Sequence, residues 1–188
     1  MTTNSQNSDA TVYDYLDAIR ARPLMYVHQK DNLDELELLV FGYYAALNQH
    51  NIDENAPSIN LHFLDWLRHH KNWSTNQGWA KAIQSNLSEN LSAFDAFFTL
   101  IDEYRQLEPK RLAQITIDPA RHSVNIKMNR VLPSQIVMVQ YEPEHLYFLE
   151  SVFVSKSKSQ SHLVDKLEEI MELAYKEFKA EANEWIWL

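Results

Sequence analysis

The sequence predicts an α+β protein: a mostly helical N-terminal part, then a small antiparallel sheet and a long C-terminal helix in the second half. Three observations carry this expectation. Apolar residues recur at helical spacing as far as Gln106. Beyond Pro109 the stretches "LAQITI", "SVNIKM" and "QIVMVQY" are rich in β-branched residues and partly alternate, as strands do. Leu163, Leu167, Ile170, Met171, Ala174 and Phe178 then return to helical spacing.

Val12, Tyr15, Leu16 and Ile19 predict a first helix from Thr11 to Ala21, ended by Pro23 because the residue before a proline disfavours helical torsions. A second helix is expected from Leu33 to His50, with Asn32 and Glu35 placed for a capping box. Its apolar face is Leu36, Leu39, Val40, Tyr43, Tyr44 and Leu47. After the polar loop 51–58, "INLHFLDWLRHH" reads as a third helix with Ile59, Phe63, Trp66 and Leu67 on one side. A short helix follows from near Gln77. Ser88 is placed to cap a helix from Glu89 to Gln106, whose aromatic stripe is Leu91, Phe94, Phe97, Phe98, Ile101 and Tyr104.

Pro109 marks the change of character, so residues 11–108 are read as the helical part and residues 109–188 as strands plus the C-terminal helix, packed together as one compact unit. Strands are expected in "LAQITI", "SVNIKM", "QIVMVQY" and "HLYFLESVFV", with "EPEH" as a turn and "SKSKSQS" as a polar linker. The last helix is expected from Gln160 to Ala182, and the apolar "EWIWL" is expected to dock back on the body. Residues 1–10 are polar and read as a disordered lead-in with no export signal, which points to a cytoplasmic protein.

Composition narrows the function. The chain has 188 residues, a net charge of −9 and no cysteine, so thiolate nucleophiles, disulfides and Cys-ligated zinc drop out. The acidic balance disfavours direct nucleic-acid binding and favours a basic protein partner. No apolar run has the ~20 residues that a membrane span needs. There are two glycines, Gly42 and Gly78, too few for any phosphate-cradling loop. The string Arg20-x-Arg22-Pro23-x-Met25-Tyr26 resembles the stretch that precedes the nucleotide pocket of gyrase-type ATPases. That family needs further glycine motifs that this chain lacks, so the ATPase reading is rejected. The string reads instead as a helix stop. Leu24, Met25 and Tyr26 are expected to pin the turn onto the next helices, and Arg20 and Arg22 to complement the helix C-terminus and pair with carboxylates of the following helix.

Among chemistry-bearing sets, His62, Asp65 and His69 lie at i, i+3 and i+7, where they could share a helix face and ligate a divalent metal. The preferred reading is a polar face opposite Phe63, Trp66 and Leu67. No carboxylate pair has a spacing that demands acid–base work, and no serine sits in a nucleophile elbow. No cofactor is expected.

One further resemblance covers about residues 11–106. The Arg-x-Arg-Pro-x-Met-Tyr helix end, Gly42-Tyr43, Phe63-x-x-Trp66-Leu67, Ser74-x-x-x-Gly78-Trp79 and the Ala93-to-Tyr104 helix occur in an order similar to that of small bacterial proteins found among toxin-immunity genes. The resemblance implies a non-enzymatic protein that binds a secreted toxin and occludes its active site. The toxin would be a basic nuclease if the acids mimic phosphate, and Asp53, Glu54, Glu142 and Glu144 are the candidate contacts. The alternatives are a metal-dependent module centred on His62, Asp65 and His69, and an oligomeric scaffold that exchanges its "EWIWL" tail.

Overall fold

The computed structural model describes residues 11–50, 52, 56–88, 90–123, 132–142, 146–153, 160–164 and 166–188. It is an α+β fold in which a five-stranded antiparallel sheet has helices on both faces. Six α-helices are described: α1 (Val12–Ala21), α2 (Leu33–His50), α3 (Leu64–Lys71), α4 (Trp79–Ser85), α5 (Ala93–Tyr104) and α6 (Leu167–Phe178). The strands are β1 (Glu108–Thr116), β2 (Gln135–Glu142), β3 (Leu146–Val152), β4 (Gln160–Val164) and β5 (Ile186–Trp187). Their order is β4-β3-β2-β1-β5. Among the described residues no helix is long and apolar enough to cross a membrane.

Local chemistry sets the helix starts. Thr11 caps α1: its hydroxyl accepts from Tyr13 N, and the Asp14 carboxylate accepts from Thr11 N at 2.7 Å. These bonds hold the Asp14 carboxyl below the usual range. At the start of α2 Asn32 Oδ1 accepts from Glu35 N at 3.4 Å, but the expected capping box does not close: Glu35 Oε1 accepts from the Asn32 side-chain amide at 2.9 Å, while Asn32 N donates to Gln29 O. Ser92, not Ser88, caps α5, accepting from Asp95 N at 3.1 Å. The helix therefore begins at Ala93, and Leu91 lies outside it, exposed. The third helical stretch opens as a π-helical turn, Ile59–Phe63, before continuing as α3.

The sheet has two buried faces, which is why β2 reads as a nearly unbroken apolar run. Val137, Val139 and Tyr141, with Phe148 of β3, face the helical layer and share one core with Leu16, Phe63, Trp66 and Phe97. Ile136 and Met138, with Ala113, Ile115 and Leu149, face α6 through Ile170, Ala174 and Phe178. Trp185 closes this second core. "EWIWL" does dock: Trp187 pairs with Ala113, Ile186 pairs with Gln114, and Leu188 N donates to Leu112 O.

Several expectations need correction. The C-terminal helix is shorter than predicted. Residues 160–164 form β4, because the free edge of β3 offers them a full antiparallel ladder from Ser151↔Gln160 to Tyr147↔Val164. α6 then runs only over Leu167–Phe178, ending where Lys179 takes φ 60°. Pro109 lies inside β1, opposite Tyr141, next to the outer edge of the sheet where a missing N–H is tolerated. "HLYFLESVFV" supplies one strand, as expected, with no bend into a second among the described residues. The predicted strand "SVNIKM" falls almost wholly outside the described residues.

Four buried tyrosines join the two layers. Tyr13 Oη donates to Pro57 O at 2.6 Å, and Tyr104 Oη donates to Ser58 O at 2.9 Å. Tyr141 Oη accepts from Ser58 N at 3.1 Å, and Tyr44 Oη accepts from Ile59 N at 3.0 Å. One three-residue segment thus has its backbone groups satisfied by α1, α2, α5 and β2. Desolvation raises the Tyr104 and Tyr141 phenols well above their ordinary pKa, so both stay protonated. Tyr141→Phe leaves Ser58 N and His62 Nδ1 without this partner. It is expected to cost about 1–3 kcal/mol in urea-unfolding stability; a midpoint equal to wild type contradicts the clamp.

Candidate functional site

The residues of the possible metal set do not converge. His62 sits in the π-helical turn, and only 1% of its surface is exposed. Its Nδ1 lies 2.5 Å from Tyr141 Oη, and its ring packs at a tilt of 31° against Phe148, with centroids 4.1 Å apart. Nε2 is 3.1 Å from Glu150 Oε1, close enough for an ion pair but off the axis of a hydrogen bond. Asp65 is held instead by Arg68 at 2.7 Å, and His69 is exposed. The five-residue turn rotates His62 inward relative to the helix that follows, so regular i, i+3, i+7 spacing fails. Among the described residues no group of three His, Asp or Glu side chains is placed to hold a metal.

Of the four candidate acids, Asp53, Glu54 and Glu144 lie outside the described residues. Glu142 is the last residue of β2, and its cross-strand neighbour is Glu108. Like charges in register destabilise a ladder. Glu168 and Glu169 open α6 just after β4, whose end pairs with the start of β3, so the topology brings them to the same end of the sheet. None of these four makes an ion pair among the described residues, in contrast to the paired acids of α1 and α5.

The largest departure from expectation is the turn after α1. Pro23–Met25 is a 3₁₀ turn closed by Tyr26 N and Val27 N, each donating to Pro23 O at 2.9 Å. Val27 is buried beneath it. Tyr26 packs edge-on against Tyr15, which stacks on Tyr43 of α2 at 5.4 Å. Leu24 and Met25 do not pin the turn to other helices as expected: they are 72% and 71% exposed. The backbone bonds and the tyrosine stack already fix the turn, which frees these two side chains to point into water.

The charges around the turn are also organised. Arg20 does not reach α2; it pairs with Asp102 of α5 at 2.8 Å and covers the Phe98 ring. Arg22 is exposed with no ion pair among the described residues. His28 N donates to Glu35 Oε2 at 2.7 Å, which ties the far side of the turn to the start of α2. The result is a rigid knob with two adjacent large apolar side chains, Arg22 on one flank and His28 on the other. Sequence reasoning missed it because large apolar residues are ordinarily assigned to the core. The available signal was that Leu24 and Met25 follow a helix-stopping proline and belong to no periodic stripe. No protein-family model, curated protein or solved structure matches the chain.

Proposed function

We propose that this chain is a protein-binding inhibitor of the immunity type, which captures a cognate toxin and covers its active site without chemistry of its own. The observation that carries the reading is the ordered, exposed pair Leu24 and Met25. The backbone of the turn is already fixed by its own hydrogen bonds, so binding orders only the side chains, and Met and Arg are enriched at protein interfaces. The net charge of −9 and the acids at one end of the sheet, which make no ion pair among the described residues, support a basic partner, because long-range attraction speeds encounter. The same string that carries the resemblance to immunity-type proteins, Arg20 to Tyr26, forms this knob.

The test is rescue. Cells that express the toxin encoded beside this gene should survive when the wild-type chain is co-expressed. The Leu24→Asp/Met25→Asp variant should fail to protect them while melting at the wild-type temperature. Failure of the wild type to protect, or full protection by the variant, contradicts the proposal.

A further inference from the structure

The outward face of α2 is unlike that of every other described helix. α1 exposes Asp14, Asp17 and Arg20; α3 exposes Arg68, His69 and His70; α4 exposes Lys81; α5 exposes Asp95, Thr99 and Glu103; α6 exposes Tyr175 among Glu168, Glu169, Glu172 and Lys176. α2 exposes Leu38 at 69% and Phe41 at 63%, followed by Gly42, Ala45 and Ala46. Its inward face is also apolar, with Leu33, Leu36, Val40 and Tyr44 buried. A helix apolar on both sides is one that is buried on both sides. No charged residue interrupts α2 between Glu37 and His50.

We propose that this face packs against the same face of a second copy of the chain, as an antiparallel α2–α2 pair about a two-fold axis beside Gly42. The order of side chains along the helix is self-complementary, as an isologous interface requires. In the antiparallel register Phe41 of each copy lies opposite Gly42 of the other, and Leu38 lies opposite Ala45. Large residues therefore meet small ones at every step. A Cβ on Gly42 would meet nothing within 4 Å in the isolated chain, so that space is open for a neighbouring ring. The ends match as well. Asp34 lies opposite Gln49, whose amide N–H can donate to the carboxylate. Two copies that each carry a net charge of −9 repel over most approaches, and the uncharged length of α2 is where they can meet without bringing acids together. The charged residues exposed on each of the other helices disfavour the same self-pairing there. This inference stands apart from the toxin-binding reading, since Phe41→Glu leaves Leu24 and Met25 in place.

Sedimentation equilibrium of the full chain over roughly a hundredfold range of concentration tests it. The mass is expected to rise from 22.1 kDa towards twice that value. Phe41→Glu and Gly42→Leu should each weaken the association by at least about tenfold, with unfolding midpoints no lower than wild type at concentrations where the wild type is monomeric. The glycine variant is the sharper of the two. Leucine there favours the helix and adds apolar surface, so non-specific association would tighten, whereas a seat for Phe41 would be blocked. A wild type that stays monomeric across the range overturns the proposal. So does a dimer that either variant leaves intact.

Discussion

Phe148→Ala is expected to lower stability by about 3–5 kcal/mol, the largest single effect in the molecule. Phe148 of β3 is fully buried between the sheet and the helical layer, with the His62 ring at 4.1 Å and the Tyr141 ring at 5.1 Å. Truncation removes the packing and leaves a cavity lined by a histidine whose Nε2 has no well-aligned hydrogen bond. For a chain of 188 residues, about 2–4 °C of melting temperature is lost per kcal/mol, so the midpoint should fall by at least about 6 °C. The shared core adds a second expectation. Because Val137, Tyr141 and Phe148 belong to the same cluster as Phe63, Trp66 and Phe97, helix and sheet signals should fall together in one transition. Circular dichroism followed at helix- and tyrosine-sensitive wavelengths checks both; a drop below about 1 kcal/mol, or two separated transitions, contradicts the account.

The two glycines are expected to respond to alanine with opposite signs. Gly78 precedes α4 with φ 93° and ψ 169°, a region that only glycine enters freely. Its missing Cβ would stand 2.6 Å from Glu37 Oε1. That carboxylate of α2 accepts from Trp79 N at 2.8 Å and so caps α4 from outside. Burial pushes the Glu37 carboxyl up, opposed by the backbone N–H groups of Trp79 and Ala80. Gly78→Ala therefore combines backbone strain of about 1–3 kcal/mol with loss of a cap worth about 0.5–2 kcal/mol. The expected total is about 2–4 kcal/mol in urea unfolding. Gly42 is in the middle of α2 with open space around it in the isolated chain, and Gly42→Ala should stabilise the monomer by about 0.5–1 kcal/mol, measured at concentrations too low for association. Equal effects at the two positions contradict this assignment.

Much of the helical layer is legible in the sequence because each helix carries its own signals. The Asn32 cap on Glu35 N, the Thr11 start and the stripe from Phe94 to Tyr104 are local features that the fold keeps. What the sequence conceals is set by contacts across long separations. β4 looks helical because Leu163 and Leu167 fit the period of α6, and only the edge of β3 decides otherwise. Three of the four bonds of the tyrosine clamp join residues 44 to 83 positions apart, so no window of sequence contains it. Ser58 and Tyr141 carry no pattern that marks them as partners. The candidate site was hidden differently. Leu24 and Met25 lie in plain view beside Pro23, but exposure is a property of what fails to pack on a residue, and that is not written beside it. Leu38 and Phe41 gave a fainter signal, since they fall outside the apolar stripe that accounts for the burial of α2.

The central claim, that the Pro23–Met25 turn is a recognition knob, is tested most directly by calorimetric titration of the neighbouring gene's toxin with the wild type and with Leu24→Asp/Met25→Asp. The loss of two hot-spot anchors should weaken binding by at least about 2 kcal/mol, roughly thirtyfold, with no change in unfolding midpoint. Equal affinity for the two proteins would contradict the claim.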